Sequence, residues 1–143
     1  MTILETERLI LRELKETDLD DLYAILSDPE TMQFYPAPYD QDGTRQWITR
    51  SIESYNANGF GLWAVLLKEA NNKFIGQCGL LMQHIDGTQV PEIGYHLNKN
   101  YWNNGYITEA AKACMQHGFD RLNMTRIYIH TYVKNIPSQR IAE

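Results

Sequence analysis

Tyr101-Trp-Asn-Asn-Gly-Tyr-Ile-Thr-Glu-Ala110 is the stretch from which the fold can be read: a polar loop with an aromatic pair, a glycine, and then a helix. Ile107, Ala110, Ala111, Cys114, Met115, Gly118 and Leu122 fall on one face of that helix, and Glu109, Lys112, Gln116 and Asp120 on the other. The spacing predicts an amphipathic helix laid on a sheet. At its start several backbone N–H groups lack intrahelical partners and the macrodipole adds partial positive charge, so a pyrophosphate can be held there without many basic side chains. Gly105 permits close backbone approach and a positive φ, and Thr108 can add a hydroxyl. Because every helix has such an end, an ordinary helix entry with a glycine turn stays open as the alternative on these residues alone.

Working outward, the β-rich runs 61–67, 73–83 and 90–97 are separated by Ala70-Asn-Asn72 and Asp86-Gly87, which predicts three consecutive antiparallel strands. Upstream, Leu9, Ile10 and Leu11 predict a first strand. Thr17 as N-cap with Asp20 three residues on predicts a helix from about residue 18 that stops near Ser27-Asp-Pro29. Trp47, Ile48, Ile52 and Tyr55 predict a second helix from Gly43 to Asn58-Gly59, after an aromatic, proline-bearing loop over 31–40. Downstream, Arg126 to Val133 alternates as a strand; following a helix, it implies a βαβ crossover and parallel pairing. Asn135-Ile-Pro-Ser138 reads as a helix start. The fold class is therefore α+β, in one domain over residues 1–143.

The 143 residues carry 13 Lys plus Arg against 18 Asp plus Glu, a formal net charge of −5. A chain of this size holds a core without staples. Its acidity argues against nucleic acid or an anionic membrane as the main partner. Cys78 and Cys114 fit neither a metal motif nor a secreted disulfide framework, which points to a reducing cytoplasm. The first residues do not read as a targeting segment, and no apolar stretch is long enough to span a bilayer. His84, His96, His117 and His130 lack metal-ligand spacing, so no metal is expected. Gly59-Phe-Gly61-Leu-Trp-Ala64 matches a dinucleotide fingerprint but precedes a strand rather than a helix, and no P-loop motif occurs.

Taken together and in order, Thr6-Glu-Arg-Leu-Ile-Leu-Arg12, Glu92-Ile-Gly-Tyr95, the 101–110 stretch and Asn135-Ile-Pro-Ser138 resemble the GCN5-related N-acetyltransferase (GNAT) superfamily, and within it the RimJ/RimL-type branch. The resemblance implies a three-layer fold with a mixed, mostly antiparallel central sheet and helices on both faces. It also implies acetyl-CoA as cosubstrate. The family loop [QR]-x-x-G-x-[GA] is matched strictly only at Gly105; Trp102 and Ile107 stand at its ends. By resemblance the pyrophosphate rests on Asn103, Asn104, Gly105, Tyr106, Ile107 and Thr108, with Asn135 helping to hold CoA. The pantetheine arm inserts between two parted strands, 90–97 and 126–133, where sheet-edge groups can bond its amides. Gly94 is expected to mark a bulge that parts them.

The implied reaction is direct acetyl transfer to a primary amine, either a protein N-terminus or a small molecule. It requires removal of a proton from the ammonium, a donor for the oxyanion and a proton for the leaving thiolate. Glu92 is the candidate base, with a strand-edge salt bridge as the alternative; His96, on the same strand face, is the substitute base. The Tyr95 backbone N–H is the oxyanion donor. Ser138 either assists thiolate departure or caps a helix. The loop Phe34 to Tyr39, with Trp47, forms part of the acceptor pocket or a lid. A homodimer is compatible with this reading, and a non-catalytic acyl-CoA-binding domain on the same fold is the competing one. The family pattern continues beyond Glu143 into strands that complete the sheet, so a C-terminally truncated chain is expected.

Overall fold

Hydrophobic alternation in the central strands sets the layers. In β3 (Leu62–Leu67) every residue is buried, because Trp63, Val65 and Leu67 face one helical layer while Ala64 and Leu66 face another. The computed structural model describes residues 2–33 and 35–129, apart from the side chains of His84 and Ile85. Within them six strands form one sheet in sequence order: β1 (Thr2–Glu5), β2 (Leu9–Glu13), β3, β4 (Lys73–Ile85), β5 (Thr88–Leu97) and β6 (Tyr128–Ile129). The first five pair antiparallel; β6 pairs parallel to β5 through Glu92↔Tyr128 and Ile93↔Ile129.

Helices α1 (Leu19–Leu26) and α2 (Gln41–Asn58) bury Leu22, Ile25, Leu26 and Ile48 against Ala64, Leu66 and Phe74. On the other face, α3 (Tyr106–Arg121) buries Ile107, Ala110, Ala111 and Cys114 against Trp63, Val65, Cys78, Leu80 and Ile93. Cys78 and Cys114, distant in sequence, bring their sulfurs within 3.9 Å in this layer. The expected helix–sheet–helix sandwich is thus present.

The meander matches its expectation closely. Its second turn, Asp86-Gly87, has φ of 51° and 79°, the pair of positive values that a two-residue hairpin needs. Four details differ. Strand β1 was not foreseen, being four residues on a sheet edge without a clear alternation. Helix α1 follows a 3-10 turn, Glu16–Asp18, and Thr17 is not its cap. The Asp18 carboxylate instead turns back to accept from Lys15 N (2.7 Å) and from both Arg12 Nη atoms (2.8 Å each). Helix α2 begins two residues before Gly43, because the Asp40 carboxylate accepts from Gly43 N at 2.7 Å and so caps it.

The fourth difference concerns Gly94, which marks no bulge in the β4–β5 ladder. The register is continuous through Gly79↔Gly94, and a Cβ at Gly94 would lie 2.8 Å from Leu81 Cδ1. Its glycine makes room for packing. The strands 90–97 and 126–133, expected to part, pair at Glu92↔Tyr128 and Ile93↔Ile129, and residues 130–133 lie outside the described residues.

Candidate active site

The loop leading to α3 is held by its own side chains. After β5, Asn98 accepts from Asn100 N (2.9 Å) to start a 3-10 turn, Lys99–Tyr101. The Asn104 amide donates to the carbonyls of Tyr101 (3.2 Å) and Trp102 (3.1 Å). Asn103 and Gly105 have φ of 65° and 79°, so the chain reverses through two left-handed residues into the helix. The bond from Glu109 N to Gly105 O (3.0 Å) begins the helical ladder, and helix geometry leaves the N–H groups of Tyr106, Ile107 and Thr108 pointing outward. They open on a concavity lined by Leu97, Tyr101, Trp102, Asn103, Gly105, Tyr106, Ile107 and Thr108. The structure therefore gathers Asn103, Gly105, Tyr106, Ile107 and Thr108, with Asn104 bracing the turn. The side chains of Tyr106 and Ile107 are buried in the core, so these residues can serve a ligand only by backbone. Asn135 lies outside the described residues.

Sequence reasoning missed what fixes this turn. Periodicity placed Glu109 on the solvent face, but its carboxylate accepts from Thr6 Oγ1, from Arg8 N (2.9 Å) and from Arg8 Nε (2.7 Å). Arg8 Nη1 reaches Asn104 O at 3.0 Å, and the guanidinium lies 4.5 Å above the centre of the Tyr106 ring. Partial burial pushes the Glu109 carboxyl up, and the Thr6 and Arg8 hydrogen bonds with the Arg8 charge outweigh it, holding its pKa below the ordinary value. The signal available beforehand was Arg8 itself, a cation just before the apolar run Leu9 to Leu11.

Strand β5 presents a directed edge. Asn98 N donates to Ile75 O at 2.8 Å, in register with the β4–β5 pairing. In an antiparallel ladder such pairs alternate, so even-numbered residues of β5 exchange bonds with β4. Ile93, Tyr95 and Leu97 consequently aim N–H and C=O toward the side on which β6 pairs. The Leu97 carbonyl confirms this by accepting from Trp102 Nε1 at 2.9 Å. The Tyr95 N–H thus points outward, on the edge that ends at the α3 concavity. The Tyr95 hydroxyl is buried without a hydrogen-bond partner among the described residues, and burial raises its pKa.

The even-numbered residues turn their side chains to the α1/α2 face. Glu92 receives Gln83 Nε2 at 3.4 Å and pairs with no Lys or Arg among the described residues. His96, about 13 Å further along the strand, is nearly inaccessible at 5 % exposure and sits in a chain of side chains. Trp47 Nε1 donates to Gln77 Oε1 at 3.0 Å. Since an indole N–H can only donate, the Gln77 amide nitrogen must be the atom 2.9 Å from His96 Nδ1. Nδ1 then accepts, the ring hydrogen sits on Nε2, and Nε2 donates to Tyr35 Oη at 2.8 Å. Burial lowers the His96 pKa to about 4. His96 is therefore neutral at pH 7 with its acceptor nitrogen occupied, which removes it as substitute base. Phe34 and Ser138 lie outside the described residues.

Among the described residues, no group of three or more His, Cys, Asp or Glu side chains is placed to hold a metal ion, and no helix is long and apolar enough to cross a membrane.

Comparison with known proteins agrees with this geometry. The family described as acetyltransferase (GNAT) domain matches residues 8–143. The uncharacterized protein YkkB of Bacillus subtilis (strain 168) is 34% identical over 143 residues, covering 99% of this chain and 83% of its own. The crystal structure of an acetyltransferase from Agrobacterium tumefaciens superimposes with a TM-score of 0.83 at 27% identity, over 99% of this chain and 80% of that one. RimL, a ribosomal L7/L12 alpha-N-protein acetyltransferase solved in complex with coenzyme A, shares the fold with a TM-score of 0.77 at 20% identity, over 99% and 81%.

Proposed function

The chain belongs to the GNAT acetyltransferase family, and from that premise we propose that it is an N-acetyltransferase of the RimJ/RimL type that moves the acetyl group of acetyl-CoA to a primary amine. The observation that carries this reading is the outward N–H groups of residues 106–108, at a concavity that continues into the outward edge of β5. That layout suits a ligand with an anionic end and an arm of amides. RimL was solved with coenzyme A, and its name assigns it a protein N-terminus as acceptor; both support the proposed cosubstrate and acceptor class.

In the proposed reaction the pyrophosphate rests on the amides from Asn103 to Thr108, with Asn135 as a further contact. The arm runs along β5 toward Tyr95. Glu92, directly or through a water, takes a proton from the substrate ammonium. The freed amine nitrogen attacks the thioester carbonyl, forming a C–N bond, and the Tyr95 N–H stabilises the oxyanion. Collapse breaks the C–S bond, and Ser138 helps proton delivery to the departing thiolate. The acceptor enters from the α1/α2 face, past Tyr35 to Tyr39 and Trp47, either as a protein N-terminus or as a small-molecule amine. We place the protein in the cytoplasm, consistent with two buried, unpaired thiols.

The test is thermal stabilisation by acetyl-CoA together with thiol release in a screen of amines and N-terminal peptides. Stabilisation with release on at least one amine is expected. Stabilisation without release on any of them would support an acyl-CoA-binding module instead, and no stabilisation would refute both.

A further inference from the structure

Resting on the proposed acyl transfer, we infer that His96 is a positioning residue for the acceptor side of the site: through Nε2–H it holds Tyr35, and with it the wall over residues 35–39, against the strand that presents the Tyr95 N–H.

The direction of the chain Trp47→Gln77→His96→Tyr35 follows from what each group can do. The indole only donates, the amide then offers its NH₂ to Nδ1, and the neutral imidazole is left with a single N–H, on Nε2. Gln77 is fully buried and His96 nearly so, which makes an unmatched donor at either position costly. Tyr35 is 40% exposed and is the most exposed member of the chain, Trp47 being half-buried.

Ring contacts reinforce the same attachment. Tyr35 and His96 meet at a tilt of 46° with 5.3 Å between centroids, while Trp47 meets His96 edge-on at 5.4 Å and Tyr39 at 5.6 Å. The wall is tied at its ends by Tyr35 N to Met32 O (3.0 Å) and Tyr39 N to Leu26 O (2.9 Å). At the Tyr35 end, the His96–Tyr35 bond also fastens it to the sheet. His96 adjoins Tyr95 in sequence, with its side chain on the acceptor face and the Tyr95 N–H on the edge. A loosened wall thus changes where an amine sits relative to the carbonyl it attacks, without touching the α3 concavity on the opposite side.

Imidazole ¹⁵N NMR and amide hydrogen exchange test the inference without requiring turnover. At pH 7, His96 should show a protonated Nε2 and an accepting Nδ1. Tyr35→Phe removes only the exposed end of the chain and should speed exchange over residues 31–40 at least tenfold, leaving residues 106–121 and the acetyl-CoA thermal shift unchanged. His96→Phe should behave alike. His96→Gln, whose carbonyl can accept from Gln77 while its amide donates to Tyr35, should restore protection, as replacement of a proton-accepting base would not.

With the amine chosen by the thiol-release screen, Tyr35→Phe should raise the acceptor KM at least fivefold and leave the acetyl-CoA KM unchanged. A protonated Nδ1, unaltered exchange in Tyr35→Phe, no rescue by glutamine, or an equal rise in both KM values would each overturn the inference. A wild-type protein that transfers no acetyl group would count against the proposed function alone, because the spectra and exchange rates judge the relay separately.

Discussion

Gly105 offers a quantitative test of the anion site, because the molecule supplies its own control. Gly105 and Gly59 have nearly equal φ, 79° and 81°, but Gly59 ends α2 with nothing within 4 Å of a would-be Cβ. At Gly105 that Cβ would have ordinary contact with Arg8 Nη2 at 3.4 Å. Replacing either glycine by alanine should therefore impose the left-handed penalty alone, about 1–2 kcal/mol. For a chain of this length that corresponds to a fall in Tm of roughly 3–6 °C. The two variants diverge when ligand is added. At acetyl-CoA 100-fold above its Kd, stabilisation is about 2.7 kcal/mol, and Gly59→Ala should retain all of it. If the diphosphate approaches the backbone closely at residue 105, the new methyl of Gly105→Ala obstructs it, so a tenfold or greater loss of affinity is expected, roughly halving that stabilisation. Differential scanning fluorimetry with and without acetyl-CoA reads both numbers. Equal ligand shifts in the two variants would refute the placement of the anion at this turn.

Glu92→Gln should lower the rate of amine acetylation at pH 7 by about 10²-fold or more, with little change in acetyl-CoA KM, as steady-state kinetics can show. The pKa of His96, about 4 in the folded protein, lies below its ordinary 6.5, so the unfolded chain binds the proton first as pH falls. Stability should decline between pH 6.5 and 4 by roughly 3 kcal/mol, and urea titrations of His96→Gln should lack this component. Burial pushes the Asp18 carboxyl up, but the Arg12 and Lys15 hydrogen bonds hold its folded pKa below the ordinary carboxylate value. Its stabilisation is accordingly complete above about pH 4 and lost as pH falls through the folded value. Asp18→Asn should cost about 3 kcal/mol at pH 7 in the same assay, because it leaves the Arg12 guanidinium largely buried beside a neutral partner.

The elements with strong periodicity were legible from the residues. The β3–β4–β5 meander, α3 and the glycine stop of α2 all follow from patterns of two and 3.6 with their turn residues, as local physics allows. Strand β1 escaped because an edge strand of four residues buries too little to impose alternation. Thr17 was a reasonable cap on spacing, yet Asp18 gains more by joining Arg12 across the turn, a tertiary preference that no local rule contains. The same applies at the site. Gly105 and the loop amides could be read from a helix entry. The tie of Glu109 to Thr6 and Arg8, about a hundred residues earlier, depends on β2 and α3 meeting in space. Likewise, His96 read as a substitute base until Gln77 on β4 and Tyr35 in the loop after α1 showed both ring nitrogens engaged.

The alternation along β5 has a metrical consequence. Outward-facing groups recur at every second residue, about 6.7 Å apart, so the strand works as a ruler whose marks at Ile93, Tyr95 and Leu97 are unequally filled: β6 pairs at Ile93, Trp102 Nε1 takes the Leu97 carbonyl, and Tyr95 lies between them. Under the proposed function, a linear guest would be gauged at Tyr95, with its length zeroed at the helix turn beyond Leu97. Moving β5 by one residue against β4 would turn every mark inward and swap the two side-chain faces at once. The pairing register of the sheet is in that sense a determinant of which guests fit.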